Sequence, residues 1–113
     1  MVVTKNALLL RDNEGNRLPV EEHSELFGGT VKILPPSEGD FAELKQGQFT
    51  EEQMIGKFLV EPKLSEEELK NMPKKSRREL YLLILMATGM LREEAELNLK
   101  KGIEMMSERL KKN

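Results

Sequence analysis

The chain has 113 residues, 38% hydrophobic and 34% charged, no cysteine and a formal net charge of −2 at pH 7. That length fits one domain with a modest core, and the lack of cysteine excludes disulfides, thiol catalysis and thiolate metal sites. The near-neutral balance supplies no global basic field for nucleic acid, and a charged share above the ordinary level of about 25% favours solvated, exposed helices.

Charge is unevenly spread. Residues 1–50 carry 5 basic and 8 acidic side chains, and residues 51–113 carry 13 and 12, so cationic groups gather in the second half. The segment Met1 to Asn6 lacks a long apolar stretch, so no signal peptide is expected. The longest apolar run, Leu80 to Ala87, is far shorter than the roughly 20 residues of a membrane span. These features point to a cytoplasmic protein with no membrane contact. Seven methionines against one tyrosine and no tryptophan suit an adaptable contact surface.

In chain order, the first third reads as short strands. Ala7 to Leu10 is a brief apolar run, Arg11 to Asn16 is dense in turn formers, and Arg17 to Val20 returns as an edge strand limited by Pro19. Gly28 and Gly29 break the chain. Thr30 to Leu34 alternates, is β-branched and stops at Pro35-Pro36. Helix signals dominate afterwards. Ser37 to Lys45 forms a short helix with Phe41 and Leu44 on one face. Thr50-Glu51-Glu52-Gln53 matches a capping box ahead of Met54, Ile55, Phe58 and Leu59, in a helix that Pro62 ends by about Val60. Ser65 to Glu68 is a second box, opening a short helix closed by Pro73, and Ser76 to Glu79 is a third. The helix after it is apolar all round and must be central; Thr88-Gly89 closes it. A last helix runs from about Arg92 to Lys111 with the stripe Leu91, Ala95, Leu99, Ile103, Met106 and Leu110. The expected fold is α+β, mainly α: one domain over residues 1–113, with a β hairpin or small sheet in 1–36 and a bundle of about four helices in 37–113.

No constellation of residues supports catalysis. His23 is the only histidine and lies in the acidic stretch Glu21 to Glu25, where it reads as a surface loop residue. Asp12 to Asn16 begins like a calcium loop, but the twelfth position is His23 and no bidentate Glu closes it. Glu66, Glu67 and Glu68 fan out around one helical turn, where they suit the helix dipole. The chain is therefore expected to be no enzyme and to hold no cofactor or metal.

Two surfaces remain as binding candidates. Lys74, Lys75, Arg77 and Arg78 place cations at a helix start, against the dipole. They call for water, pairing with Glu66 to Glu68, an acidic protein or nucleic acid; no aromatic residue interleaves for base stacking. The second surface is the terminal stripe, Leu91, Leu99, Ile103, Met106 and Leu110, which either packs in the core, self-associates or meets a partner's groove.

One segment carries a family resemblance. Met54-Ile55-Gly56-Lys57-Phe58-Leu59-Val60-Glu61-Pro62-Lys63-Leu64-Ser65-Glu66-Glu67-Glu68-Leu69, followed by an apolar helix ending Ala87-Thr88-Gly89, resembles phage tail assembly chaperones. The preceding Val31 to Phe41, a short strand turning into a helix, extends the likeness to about residues 30–89. The resemblance implies a non-virion, non-enzymatic protein without cofactor. It would bind the tape-measure protein, and other tail proteins with it, during assembly of long-tailed phages in a bacterial host. It also implies two product lengths from ribosomal frameshifting near the end of the first frame, with which the codons for Lys111-Lys112-Asn113 are compatible. The basic cluster at 74–78 supports a different class, a small nucleic-acid adaptor, which would bind in a salt-dependent way.

Overall fold

A computed structural model of the chain describes residues 2–45 and 51–100. The first element is helical. Thr4 Oγ1 accepts from the Ala7 N–H at 3.1 Å and opens one turn of helix, α1, Lys5–Leu8. This corrects the expected strand at Ala7 to Leu10: the hydroxyl cap satisfies first-turn N–H groups, whereas a strand there would need a ladder partner that Pro19 shortens. The polar turn after it forms as expected. Asp12 Oδ1 accepts from the N–H groups of Glu14 and Asn16, both at 2.9 Å, and Gly15 takes φ +87°. Around that turn lie a single bridge between Arg11 and Arg17 and a Leu18-to-Leu10 backbone bond of 2.8 Å, with no extended hairpin.

The sheet has three antiparallel strands in the order β1-β2-β3: Val20–Ser24, Gly29–Ile33 and Leu59–Glu61. In β1 and β2 alternate residues face inward. Val20, Glu22 and Ser24 pair across from Ile33, Val31 and Gly29 on the covered face, while Glu21, His23, Thr30 and Lys32 stay exposed. His23 is thus a surface residue, but on a strand and not in a loop. β3 corrects the helix expected to reach Val60. The residue before a proline is driven to extended backbone, so Pro62 turns the chain out of helix. Leu59 and Glu61 then pair with Ile33 and Lys32, and Lys32 Nζ lies 3.4 Å from Glu61 Oε2. The β element therefore extends beyond residues 1–36.

Six helical segments occur among the described residues, where about four were expected. Besides α1 they are α2 (Glu38–Lys45), α3 (Glu51–Phe58), α4 (Glu66–Lys70), α5 (Lys74–Ala87) and α6, residues 92–100. Of these, α1 was not expected, whereas α4 is the short helix expected after Ser65. The side chains of Phe41 and Leu44, and the Thr50 cap, lie outside what is described. At α2, Ser37 and Asp40 cap reciprocally: Asp40 Oδ2 accepts from Ser37 N–H at 2.8 Å and Ser37 Oγ accepts from Asp40 N–H at 3.2 Å. Asp40 also meets Arg17 at 3.2 Å and Lys57 at 3.6 Å, tying the N-terminal turn and α3 to α2.

The capping box at Ser65 is present in full, with Ser65 Oγ accepting from Glu68 N–H at 3.2 Å and Glu68 Oε1 from Ser65 N–H at 2.9 Å. Backbone and hydroxyl donation from Ser65 holds the Glu68 carboxyl below its ordinary value. Ser65→Ala is expected to lower the unfolding free energy by about 1 kcal/mol, read as a shift in urea midpoint at constant slope. The box expected at Ser76 does not form. Pro73 takes the N-cap position of α5 without a side-chain bond, and Ser76 lies inside the helix. Proline with its fixed φ starts the helix three residues earlier than the hydroxyl pattern suggested, which frees Glu79 for another use.

α5 is the central element. One side packs Leu80, Leu83 and Ile84 into a core with Val31, Ile33, Met54, Ile55, Phe58, Leu59 and Leu69. The other side, Leu82 and Leu85, is covered by Ala95, with half-buried Leu99 and Met90 alongside. This is the apolar-all-round helix the sequence implied. It ends at Thr88 and Gly89, where φ +105° favours glycine.

Candidate interaction surfaces

Three places on the molecule could meet a partner. The first is the start of α5. Lys74, Lys75 and Arg78 are exposed there and, among the described residues, take part in no ion pair; none reaches Glu66, Glu67 or Glu68. Arg77 differs from the other three. It is half-buried, its Nη2 donates to the Met72 carbonyl at 3.4 Å, and its buried Nε has no hydrogen-bond partner. The cluster is thus three solvated cations and one folded-in arginine.

The second is α6. The expected stripe holds for Ala95, fully buried, and Leu99, half-buried, but not for Leu91, which is 67% exposed. Helical periodicity does not apply to Leu91 because the helix begins one residue later. Arg92 makes the inward contact instead. Leu97 faces outward at 53% exposure. Ile103, Met106 and Leu110 lie outside the described residues.

The third was not anticipated. Leu8, Leu9, Leu10 and Leu18 are all exposed, with Leu8 at 73%, and a backbone bond from Leu18 N–H to the Leu10 carbonyl at 2.8 Å brings the two arms of the turn together. A leucine triple beside a dense polar turn was the available signal: a four-residue helix offers these side chains nothing to pack against.

A buried polar hub organises the second surface. Glu79, only 5% exposed, receives Arg92 in bidentate fashion, Nη2 to Oε1 at 2.6 Å and Nη1 to Oε2 at 3.3 Å. The fully buried Ser24 hydroxyl donates to Glu79 Oε2 at 2.7 Å, while Ser24 Oγ accepts from the Phe27 N–H at 3.2 Å. Burial pushes the Glu79 carboxyl up, but hydrogen bonds from Arg92 and Ser24 and the arginine's charge outweigh it and hold the group below its ordinary 4.5. One carboxylate thereby joins β1, the turn carrying exposed Leu26 and Phe27, α5 and α6. Both Glu79 carboxylate oxygens and the Ser24 hydroxyl have partners, so the hub ties elements of the fold together. No histidine enters it, and among the described residues no group of three or more His, Asp or Glu is placed to hold a metal ion. Between α3 and α4 lies an open groove of about 590 Å³ lined by Gly56, Leu64 and Leu69 together with Glu52, Glu66 and Lys70. Among the described residues no helix is long and apolar enough to cross a membrane.

No protein-family model matches the chain, and neither does any curated protein or solved structure.

Proposed function

We propose that this chain is a non-enzymatic assembly chaperone of the phage-tail kind, binding the tape-measure protein in the cytoplasm of a bacterial host. The observation that carries the reading is the display of exposed leucines beside a well-packed core. Leu8, Leu9, Leu10 and Leu18 lie exposed around one turn, and Leu91 just before α6 and Leu97 within it are exposed as well. Clustered exposed apolar side chains mark surfaces that meet other proteins. A long partner rich in apolar helical faces is the chemistry they suit, by laying helix against apolar surface. The order of elements over about residues 30–89 and the Val-Glu-Pro-Lys-Leu run add support through the resemblance. Co-expression with a tape-measure protein from the same genome is expected to raise its solubility and yield a co-purifying complex. Leu8→Glu with Leu97→Glu should abolish capture without changing the far-ultraviolet spectrum. No co-purification by the unaltered chain would reject the proposal.

A second reading rests on Lys74, Lys75 and Arg78, exposed at the uncapped start of α5 and without an ion pair among the described residues. It makes the chain a nucleic-acid adaptor whose affinity falls steeply with salt. Binding to duplex or single-stranded DNA that survives Lys75→Glu with Arg78→Glu would eliminate it.

A further inference from the structure

We propose that α6 is a strap that opens from α5 as a unit, with the Arg92–Glu79–Ser24 bridge as its catch. The two sides of α5 are covered very unequally. The main core side is closed by β2, β3, α3 and Leu69 of α4, with Ile33, Ile55, Leu83 and Ile84 wholly inaccessible. The other side is closed by α6, which over residues 92–100 offers a single buried side chain, the small Ala95, and half-buried Leu99; the rest are exposed. α6 also satisfies itself: Arg92 Nε bonds Glu96 at 3.2 Å, and Asn98 Nδ2 donates to the Glu94 carbonyl at 2.9 Å. Segments with little buried apolar contact open locally at lower free energy than the core. Among the described residues, the bidentate Arg92 contact is the polar tie of α6 to α5, and Glu79 is itself held by Ser24 from β1. Opening bares Leu82 and Leu85 and enlarges the apolar surface beside Leu91. Their use by a partner rests on the chaperone reading; the strap itself does not, and its test needs no partner.

Hydrogen exchange of the full chain resolves the matter. Amides of residues 95–100 are expected to exchange at least about tenfold faster than those of 80–85, with little dependence on urea. Arg92→Ala should accelerate residues 95–100 about tenfold further. Ile33→Val removes one methyl group from the main core, away from α6, and should fold. It should speed the slowest α5 and β2 amides about fivefold and leave residues 95–100 unchanged. If Ile33→Val accelerates both groups equally, α6 leaves only with global unfolding and the strap is refuted. If Arg92→Ala leaves residues 95–100 unchanged, the catch is refuted.

Discussion

Replacing Leu83 by alanine is expected to lower the unfolding free energy by about 3 kcal/mol, within the roughly 2–5 kcal/mol seen when large core side chains are truncated. Leu83 is wholly inaccessible and sits at the middle of α5, in the cluster that joins β2, α3 and α5. Its neighbours are held by two other elements, so the void cannot close by moving α5 alone. Small domains have only about 5–15 kcal/mol in total, so the urea midpoint should fall visibly at unchanged slope. Leu97→Ala is the matched control. Its side chain is more than half exposed, and the change should stay within about 0.5 kcal/mol. An equal loss from both substitutions would contradict the assignment of Leu83 to the core and Leu97 to the surface.

Glu79→Ala is expected to cost about 2 kcal/mol at pH 7, less than the roughly 3–5 kcal/mol for breaking a fully buried ion pair. The discount follows from Arg92, whose side chain is 44% exposed and regains water once released. Ser24 does not: its buried hydroxyl loses its acceptor. The effect carries a pH signature. Because the folded carboxyl is held below its ordinary 4.5, its contribution is complete above that value and is lost as pH falls through the folded value. Glu79→Gln retains an acceptor for Ser24 but no charge. The stability gap between the native chain and Glu79→Gln should therefore be widest at pH 7 and shrink toward pH 3 in urea titrations. A gap that holds constant in acid would mean that the carboxylate charge is not what stabilises the hub.

Legibility in the sequence followed the range of the forces involved. The Ser65 box, the polar turn at Asp12 to Asn16, and the Thr88-Gly89 stop depend on groups a few residues apart, and each forms where local chemistry places it. The circumferential burial of α5 was equally readable, because eight consecutive apolar residues have no solvent-tolerant side. β1 was not readable. Glu21, Glu22 and His23 look like a loop, and their strand exists because β2 pairs with them and Glu79 satisfies Ser24 from 55 positions away. The same distance hid the hub: Glu79 looked like the end of a capping box at Ser76, and nothing local names Arg92 as its partner. The Ser37–Asp40 cap was missed although it is local, because the capping-box pattern ends in Glu or Gln and Asp40 fills that place here. Of the candidate surface, the exposure of Lys74, Lys75 and Arg78 matched the charge pattern, the exposed leucines around Leu10 had a signal in the leucine triple beside the polar turn, and the folded-in Arg77 had none.

The place of β3 in the sheet sets an order on folding. β1 and β2 are joined by a tight turn, and such hairpins close in about 1–10 μs. The Lys32–Glu61 pairing, in contrast, closes a loop that contains α2 and α3. Its closure entropy is spent before the contact is gained. The third strand is therefore expected to join after the β1–β2 hairpin has closed, together with α3, which leads directly into it. A nascent chain that has emerged only as far as Pro36 holds a two-stranded ribbon with Val31 and Ile33 uncovered, a form that is marginal in water. The strands of the N-terminal third are therefore expected to gain most of their stability from β3, α3 and α5, which the second half of the chain supplies.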